Sequence, residues 1–444
     1  MISVIKVGMI SLGCPKNQVD AERMLALLEK NSCEITDCYD GADVVIVNTC
    51  GFIDAAKEEA IENILEMVQL KEEGVIGKII VSGCLSEKYR EEIFTEIPEV
   101  DAVIGIGEIG NIYDIVTRVT GEDKVFEPGN KEDLPLCGER LLTTPEYWSY
   151  LKIADGCSNH CTYCSIPGIR GKYRSADFDM LVEEARQLAA AGTKELILVA
   201  QDTTAYGLDL YGKLRLPELL NALCDIEGIE WIRLLYCYPD KITDELLEVM
   251  KNQPKVLHYI DLPVQHGDDG VLKRMNRKGD SAFLREVIAK IRRKLPDAVI
   301  RSTVMVGFPG EDEDAFENLA EFINEIEFDR LGCFSFSPQE GTPAFDMDGA
   351  VEEEVKTRRG EILMQDQLEI VTLKNEEKIG KVYRVLVEDY DGYSDSYSGR
   401  TYMDAPEIDG KINFTTAKDY NPGDFADVEV IGVNDYDLIG KDIG

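Results

Sequence analysis

The chain has 444 residues, of which 44% are hydrophobic and 30% charged, and its 47 lysines and arginines stand against 85 aspartates and glutamates, a formal net charge of −38. This length predicts two or three domains with sizeable cores, and no apolar run approaches the roughly 18 to 20 residues that span a bilayer. The charge disfavours nucleic-acid binding, which depends on cations at phosphates, and favours either solubility alone or a basic partner.

The first third of the chain alternates apolar strands with helical patterns. The predicted strands are Val4–Ser11, Asp43–Val47 and Lys78–Ser82, and the predicted helices are Asn17–Lys30, Asp54–Leu70 and Glu87–Ile97. Continuous apolar strands that alternate with helices indicate a parallel sheet covered on both faces. We assign residues 1–120 to this domain, and residues 121–142, rich in glycine, proline and charge, to a linker.

The apolar amino terminus, Met1–Cys14, is interrupted by Lys6 and has no basic segment before it, which is typical of a strand and not of a signal peptide. We therefore expect a cytoplasmic protein in a reducing compartment. Clusters among its twelve cysteines then indicate metal binding or catalysis rather than disulfides. Six cysteines show no equivalent placement and are predicted to be structural: Cys33, Cys38, Cys137, Cys224, Cys237 and Cys333.

Strands and helices alternate again over residues 143–372. The predicted strands are Tyr150–Ala154, Glu195–Ala200, Trp231–Tyr236, His258–Leu262, Val299–Val306 and Leu331–Phe336, separated by helical patterns such as Asp179–Ala191 and Ala282–Lys294. Six such units predict a partial (β/α)6 barrel, in which functional groups lie at the carboxyl ends of the strands.

The last part of the chain, residues 375–444, has short strands separated by turn residues and predicts a small all-β barrel. The predicted strands are Lys381–Val387, Gly399–Tyr402, Lys411–Thr415 and Phe425–Val433. This segment contains 16 acidic and 7 basic residues, a net charge of −9.

One cysteine motif follows the first strand of the predicted central barrel. Cys157, Cys161 and Cys164 form a CxxxCxxC spacing on one loop. Thiolates hold [4Fe–4S] clusters, usually four per cluster, so three thiolates leave one iron free for another ligand. A zinc site is the alternative, but zinc usually requires two cysteine or histidine pairs. The motif therefore favours an iron–sulfur cluster with an open iron.

Three further cysteines each follow a predicted strand of the amino-terminal domain. Cys14, Cys50 and Cys84 lie two or three residues past the carboxyl ends of parallel strands. Neighbouring strands are about 4.8 Å apart, so the three thiols are expected to converge at one sheet edge, where such folds bind ligands. Three buried structural cysteines are the alternative. We predict a second cluster at this edge.

The CxxxCxxC motif after the first barrel strand resembles the signature of the radical S-adenosylmethionine superfamily. The resemblance implies that the open iron binds S-adenosylmethionine and that one electron cleaves it to a 5′-deoxyadenosyl radical. It also implies a place near the adenine for Tyr163, with ordinary packing as the alternative. Gln201, Gln265 and Arg301 lie at or on barrel strands and are further candidates for cofactor binding, although structural roles fit them equally well.

A radical S-adenosylmethionine motif, the amino-terminal cysteines and a carboxyl-terminal β-barrel together resemble the methylthiotransferase family over essentially the whole chain. The resemblance implies an auxiliary [4Fe–4S] cluster on Cys14, Cys50 and Cys84 that delivers sulfur, and a barrel of the TRAM type that engages the substrate. It implies that S-adenosylmethionine serves both as methyl donor and as radical source. An electron donor such as flavodoxin or ferredoxin is then required.

Two branches of that family compete: one modifies an aspartate of small-subunit ribosomal protein S-twelve, the other isopentenyl-adenosine in transfer RNA. Ser11–Asn17 (Ser-Leu-Gly-Cys-Pro-Lys-Asn), Asn48–Ile53 (Asn-Thr-Cys-Gly-Phe-Ile) and Leu235–Pro239 (Leu-Tyr-Cys-Tyr-Pro) resemble the ribosomal-protein branch. Gln265–Asp269 departs slightly from the commoner Gln-His-Ala-Ser-Asp pattern.

The charge of the last domain supports the same branch, because an enzyme that binds transfer RNA is expected to carry a basic face, whereas an acidic barrel complements a basic ribosomal protein. The sequence therefore predicts insertion of a methylthio group at the β-carbon of an aspartate, with transfer RNA an improbable substrate and no membrane partner. A non-catalytic iron–sulfur electron carrier is the more distant alternative.

Overall fold

The computed structural model describes residues 4–444, and its first domain is built on a six-stranded parallel sheet in the order β2-β1-β3-β4-β5-β6. Its strands are β1 (Lys6–Ser11), β2 (Glu34–Thr36), β3 (Val44–Thr49), β4 (Lys78–Gly83), β5 (Ala102–Ile104) and β6 (Val125–Glu127). Its helices are α1 (Pro15–Lys30), α2 (Asp54–Glu72), α3 (Cys84–Glu96) and α4 (Ile112–Thr120). Helices α1 and α4 pack on one face, and α2 and α3 on the other.

The three long strands of this sheet agree with the sequence, whereas β2, β5 and β6 were not predicted. Each has only three residues, too few for hydrophobic periodicity to reveal. Strand β6 lies inside the segment predicted to be a linker, and its pairing with β5 makes it part of the first sheet. The connection to the central domain therefore begins after Glu127.

The central domain is an open six-stranded parallel sheet in the order β14-β13-β12-β11-β10-β7. Its strands are β7 (Trp148–Lys152), β10 (Glu195–Val199), β11 (Trp231–Leu234), β12 (Val256–Asp261), β13 (Val299–Val306) and β14 (Arg330–Ser335), while β8 (Ala154–Asp155) and β9 (Arg174–Ser175) form a separate antiparallel pair. Its helices are α5 (Ile166–Arg170), α6 (Phe178–Ala190), α7 (Leu208–Tyr211), α8 (Leu216–Cys224), α9 (Asp244–Asn252), α10 (Asp269–Arg274), α11 (Ser281–Lys294), α12 (Glu313–Ile326) and α13 (Glu353–Glu376). The predicted partial (β/α)6 barrel is confirmed.

The third domain is a closed barrel in the strand order β15-β16-β17-β19-β18. Its strands are β15 (Val382–Asp391), β16 (Ser396–Arg400), β17 (Ile412–Thr415), β18 (Phe425–Asn434) and β19 (Asp437–Asp442). All pairings are antiparallel except that of β17 with β19. Only β19 was not predicted, because its short Asp-Leu-Ile-Gly-Lys-Asp sequence has little apolar alternation. The all-β barrel itself is confirmed.

The two faces of the central sheet have different neighbours. Leu196, Ile232 and Ile300 pack against the surrounding helices in the largest core of the protein. Trp148 and Tyr259 point the other way and share a second core with residues of the carboxyl-terminal barrel. The small barrel is therefore docked on the inner face of the open sheet.

Buried charges complete this docking. Glu195 on β10 forms ion pairs with Arg233 on β11 (2.7 Å) and with Arg400 on β16 (2.8 Å). All three side chains are buried. Arg330 at the start of β14 pairs with Asp404 at 2.6 Å. Buried ion pairs require good geometry to offset desolvation, so these contacts orient the barrel specifically. No helix within residues 4–444 combines the length and apolar character needed to cross a membrane.

Candidate functional site

The loop that carries Cys157, Cys161 and Cys164 connects β8 to α5 at the carboxyl end of the first central strand. Gly156 begins the loop with φ +77°, and a Cβ there would lie 2.2 Å from the carbonyl oxygen of Lys172, so only glycine fits. Cys157 and Cys161 are each only 6% exposed. Burial is the main cause that raises the pKa of the Cys164 thiol to about 12, and the nearby Cys161 and Cys157 thiols contribute to this rise.

Hydrogen-bond donors surround two of these thiols. The Asn159 side-chain amide lies 3.5 Å from the Cys157 Sγ, and the Arg277 Nη1 and Tyr238 hydroxyl oxygen lie 3.7 and 3.6 Å from the Cys161 Sγ. The Arg277 guanidinium also stacks on the Tyr238 ring at 4.5 Å. Donors to cluster sulfurs tune the reduction potential of iron–sulfur proteins, so this surrounding suits an anionic thiolate cluster. No sequence signal singled out Arg277.

The structure brings Cys14, Cys50 and Cys84 together at the carboxyl edge of the first sheet. Cys14 precedes α1, Cys50 follows β3, and Cys84 begins α3 directly after β4. Burial raises the pKa of the Cys84 thiol to about 12, where Arg170 opposes the rise and Cys14 and Cys50 add to it. A Cβ on Gly13, whose φ is +93°, would lie 2.8 Å from the Cys50 Sγ, so the strand ends approach each other closely.

A buried ion cluster connects the two groups of cysteines. The Arg170 Nη2, at the end of α5, donates to the Cys84 Sγ at 3.3 Å, and its Nη1 donates to Asp20 and Asp155 at 2.6 and 3.0 Å. Lys152 pairs with the same two carboxylates, and the ions are all buried. Asp155 lies two residues before Cys157, so this network fixes one cysteine group relative to the other.

Two of the predicted cofactor residues line the mouth of the central barrel. Tyr163 contacts Phe308 edge-on, with ring centroids 6.5 Å apart. The Gln201 Nε2 donates to Asp155 at 3.3 Å, while its Oε1 is buried and has no hydrogen-bond partner among residues 4–444. A buried amide oxygen is costly to leave unpaired, so this atom fits a donor of a bound ligand.

Gln265 and Arg301 have clear structural partners. Gln265 has φ +73°, and its backbone pairs with Thr303 and Met305 of β13 through hydrogen bonds of 2.9 and 2.8 Å. Arg301 pairs with Asp261 at 3.0 Å and lies 3.6 Å from Asp409 of the small barrel. The position of Arg301 on a predicted strand could not reveal that its guanidinium would contact the carboxyl-terminal barrel. The cofactor contacts of both residues stay predictions.

The donor set suits a cluster better than a single ion. Across residues 4–444, no three or more His, Cys, Asp or Glu side chains are grouped closely enough to hold one metal ion. A cubane places each thiolate on a different iron, so its ligands surround a wider volume. The two sets of three thiols, with cationic and amide donors beside them, therefore fit [4Fe–4S] clusters. His266 is not part of either set, because its buried ring lies 3.2 Å from Glu311.

Comparison with known families matches all three domains. Residues 6–105 match the model of uncharacterized protein family UPF0004, residues 151–323 that of the Radical SAM superfamily, and residues 379–443 that of the TRAM domain. Membership of the Radical SAM superfamily implies one [4Fe–4S] cluster and S-adenosylmethionine. The presence of a TRAM domain confirms the type predicted for the small barrel.

Curated relatives match the chain over nearly its whole length. The ribosomal protein uS12 methylthiotransferase RimO of Acetivibrio thermocellus is 48% identical over 98% of both chains. The proteins with the same name from Caldanaerobacter subterraneus and Clostridioides difficile are 49% and 45% identical over 98% of this chain and 99% and 98% of theirs. The chain belongs to the RimO family of methylthiotransferases. This confirms the resemblance drawn from the cysteine motifs.

Solved structures share the fold of this RimO-family chain at low identity. The radical S-adenosylmethionine methyltransferase TsrM from Kitasatospora setae aligns with a TM-score of 0.60 at 13% identity over 77% of both chains. The cobalamin-dependent S-adenosylmethionine radical enzyme OxsB aligns with a TM-score of 0.52 at 13% identity, over 83% of this chain and 56% of its own. At this identity the likeness concerns the fold alone.

Proposed function

We propose that this protein inserts a methylthio group at the β-carbon of an aspartate of ribosomal protein uS12. The observation that carries the proposal is the joining of two three-cysteine groups by Arg170, which contacts the Cys84 Sγ directly and Asp155 beside the second group. The names of the relatives that match 98% of the chain support uS12 as the substrate.

Each cysteine group would hold one [4Fe–4S] cluster. Cys157, Cys161 and Cys164 would bind the radical-generating cluster, and Cys14, Cys50 and Cys84 the auxiliary one. When bound, the clusters and S-adenosylmethionine would supply the electron, the organic radical, the methyl group and the sulfur for the reaction. An external donor such as flavodoxin or ferredoxin would provide the electrons.

The protein's own residues would bind and orient S-adenosylmethionine. Gln201 would accept a hydrogen bond from S-adenosylmethionine through its unpartnered Oε1, and Tyr163 and Gln265 would line the same mouth. Arg301, whose Nη1 pairs with Asp261 and whose Nε lies near Asp409, would reach the cofactor with its remaining nitrogen, Nη2. Burial of Cys157 and Cys161 keeps water away from the reacting groups.

The acidic surface supports a basic protein as the partner. The net charge is −38 for the chain, and residues 375–444 carry 16 acidic against 7 basic residues. Complementary charge accelerates the encounter with a basic ribosomal protein and repels the phosphates of transfer RNA. The reaction would take place in the cytoplasm, either on free uS12 or on the assembled ribosome.

The test is mass spectrometry of uS12 after incubation with the anaerobically reconstituted enzyme, S-adenosylmethionine and a reductant. We expect one aspartate to gain the mass of a methylthio group less one hydrogen. Cys84→Ala should abolish the gain, whereas Cys224→Ala, a buried cysteine outside both groups, should retain it. Modification of isopentenyl-adenosine in transfer RNA, with none of uS12, would contradict the proposal, as would failure to cleave S-adenosylmethionine.

A further inference from the structure

Lys16, in the first turn of α1, is a buried cation two residues after Cys14. Its side chain is only 6% exposed, and its Nζ has no carboxylate within ion-pair distance in the described part of the chain, residues 4–444. Instead the Nζ lies 3.2 Å from the centroid of the Tyr236 ring. Lysines this deeply buried are normally paired, because desolvation of an unpaired ammonium is costly. The ammonium is therefore able to accept a carboxylate.

Tyr236 is held in a strained conformation beneath this lysine. It follows β11 with φ +60°, which is uncommon for a non-glycine residue and concentrates at functional sites. Its backbone N–H donates to the Asp261 carboxylate at 2.8 Å, and its carbonyl oxygen accepts the Thr203 N–H at 3.0 Å. These two bonds keep the aromatic ring under the Lys16 ammonium.

The Lys16–Tyr236 contact lies between the two cysteine groups. Lys16 is two residues after Cys14, and Tyr236 is two residues before Tyr238, whose hydroxyl oxygen lies 3.6 Å from the Cys161 Sγ. The ammonium is therefore at the junction of the first sheet and the mouth of the central barrel. A substrate side chain that reacts between the two groups has to pass this point.

The neighbouring cations are already neutralised. Arg170 and Lys152 share the carboxylates of Asp20 and Asp155 within the buried ion cluster. Lys16 has no such carboxylate partner, and an aromatic face is a weaker partner for an ammonium than a carboxylate.

We propose that Lys16 binds the side-chain carboxylate of the substrate aspartate. This inference rests on the proposed function, since it concerns the recognition of that same substrate. The carboxylate carbon is bonded directly to the β-carbon, so an ion pair with Lys16 fixes the reacting carbon next to Cys14. Lys16 is a specificity-determining residue that distinguishes aspartate from its uncharged isostere asparagine.

Binding measurements on the anaerobically reconstituted enzyme test the assignment. The ligands are uS12 and a uS12 variant with asparagine at the modified aspartate. We expect the wild-type enzyme to bind the aspartate form more tightly by about tenfold or more, as for a hydrogen bond to a charged group. Lys16→Met should reduce this ratio to about one, and Lys16→Arg should restore most of it. Lys30→Met, on the exposed end of the same helix, should leave the ratio unchanged.

The outcomes separate this inference from the function on which it rests. If wild-type enzyme modifies uS12 but binds the aspartate and asparagine forms equally, Lys16 does not bind the substrate carboxylate. The same holds if Lys16→Met preserves the ratio, or if it weakens only the binding of S-adenosylmethionine. If wild-type enzyme neither binds nor modifies uS12, the proposed function itself fails. The wild-type ratio needs no variant, so a variant that does not fold cannot conceal the result.

Discussion

The Nη2 of Arg170 donates a hydrogen bond of 3.3 Å to the Sγ of Cys84, across the boundary between the central and amino-terminal domains. Its Nη1 binds Asp20 and Asp155, and the side chain is 1% exposed. One side chain from the loop region of one cysteine group therefore touches a cysteine of the other.

Loss of Arg170 is expected to destabilise the boundary between these domains. Arg170→Met leaves Asp20 and Asp155 buried with Lys152 as their remaining cation, so the free energy of unfolding should fall by roughly 3–5 kcal/mol. Urea denaturation under anaerobic conditions measures it. Arg186→Met removes an exposed pair with Glu183 and should cost less than about 1 kcal/mol. Equal losses for the two variants would contradict the role of Arg170.

Each cysteine group should account for half of the bound iron. Cys50→Ala and Cys161→Ala are each expected to retain about four of about eight irons per chain after reconstitution, since each variant removes a thiolate from one [4Fe–4S] cluster. Iron and sulfide analysis measures this. Cys224→Ala should retain the full content, because this cysteine is the last residue of α8 and lies in the core of the central domain. Full iron in Cys50→Ala would show that the first sheet holds no cluster.

Arg277 is expected to raise the reduction potential of the cluster on the Cys157 loop. Its Nη1 lies 3.7 Å from the Cys161 Sγ, and both a positive charge and a hydrogen bond at sulfur favour the reduced state. Arg277→Met should therefore shift the midpoint potential to more negative values in a redox titration followed by electron paramagnetic resonance. Lys278→Met removes the same charge from an exposed pair with Asp240 and should leave the midpoint unchanged. An equal shift in both variants would mean that only net charge matters.

Lys378, after α13, should make stability depend on pH in the alkaline range. Burial, with a smaller contribution from the nearby Arg330, lowers its pKa from 10.5 to about 8. Between these values the unfolded chain binds more protons than the folded one, so the free energy of unfolding rises with pH. Below about pH 8 the folded protein keeps this buried ammonium charged, which lowers the free energy of unfolding by an amount on the order of 1–3 kcal/mol.

Lys378→Met should therefore be most stabilised relative to wild type at about pH 7.5 and lose that advantage towards about pH 10. Urea unfolding at both pH values measures the difference. Lys381→Met, at an exposed lysine nearby, should follow the wild-type profile. A difference between Lys378→Met and wild type that is the same at both pH values would contradict the lowered pKa.

The acidic tip of the small barrel should accelerate the encounter with uS12. Asp389, Asp391 and Asp395 are exposed around the β15–β16 turn. Changing all three to asparagine should slow association several-fold at low salt and little at high salt, because exposed charges act through a screened field. Rapid-mixing kinetics with uS12 measures the rate.

A matched variant controls for net charge in this experiment. Glu58, Glu59 and Glu62 are exposed on α2 of the first domain, and changing them to glutamine removes the same three charges. Association should remain close to wild type. If both triple variants slow association equally, the charge of the whole chain and not that of the barrel steers uS12.

Much of the fold and the cysteine loops follow from local sequence. Strands such as β3, with six buried residues, show a continuous apolar run, whereas three-residue β2, β5 and β6 do not. The Cys157 spacing concentrates three thiols in one loop, so it is visible without any tertiary contact. Cys14, Cys50 and Cys84 were found because equivalent positions after parallel strands meet at one edge.

The sequence by itself determined the domain types and the family, and it predicted the six cysteines as cluster ligands. Tertiary structure alone decided which charges serve the site and which hold the domains together. Arg170 and Cys84 are 86 positions apart, and Arg301 meets Asp409 from the last domain. Such contacts depend on how three separately folded cores pack, which no local periodicity records. For the same reason, only the tertiary structure revealed that Lys16 of α1 contacts the ring of Tyr236.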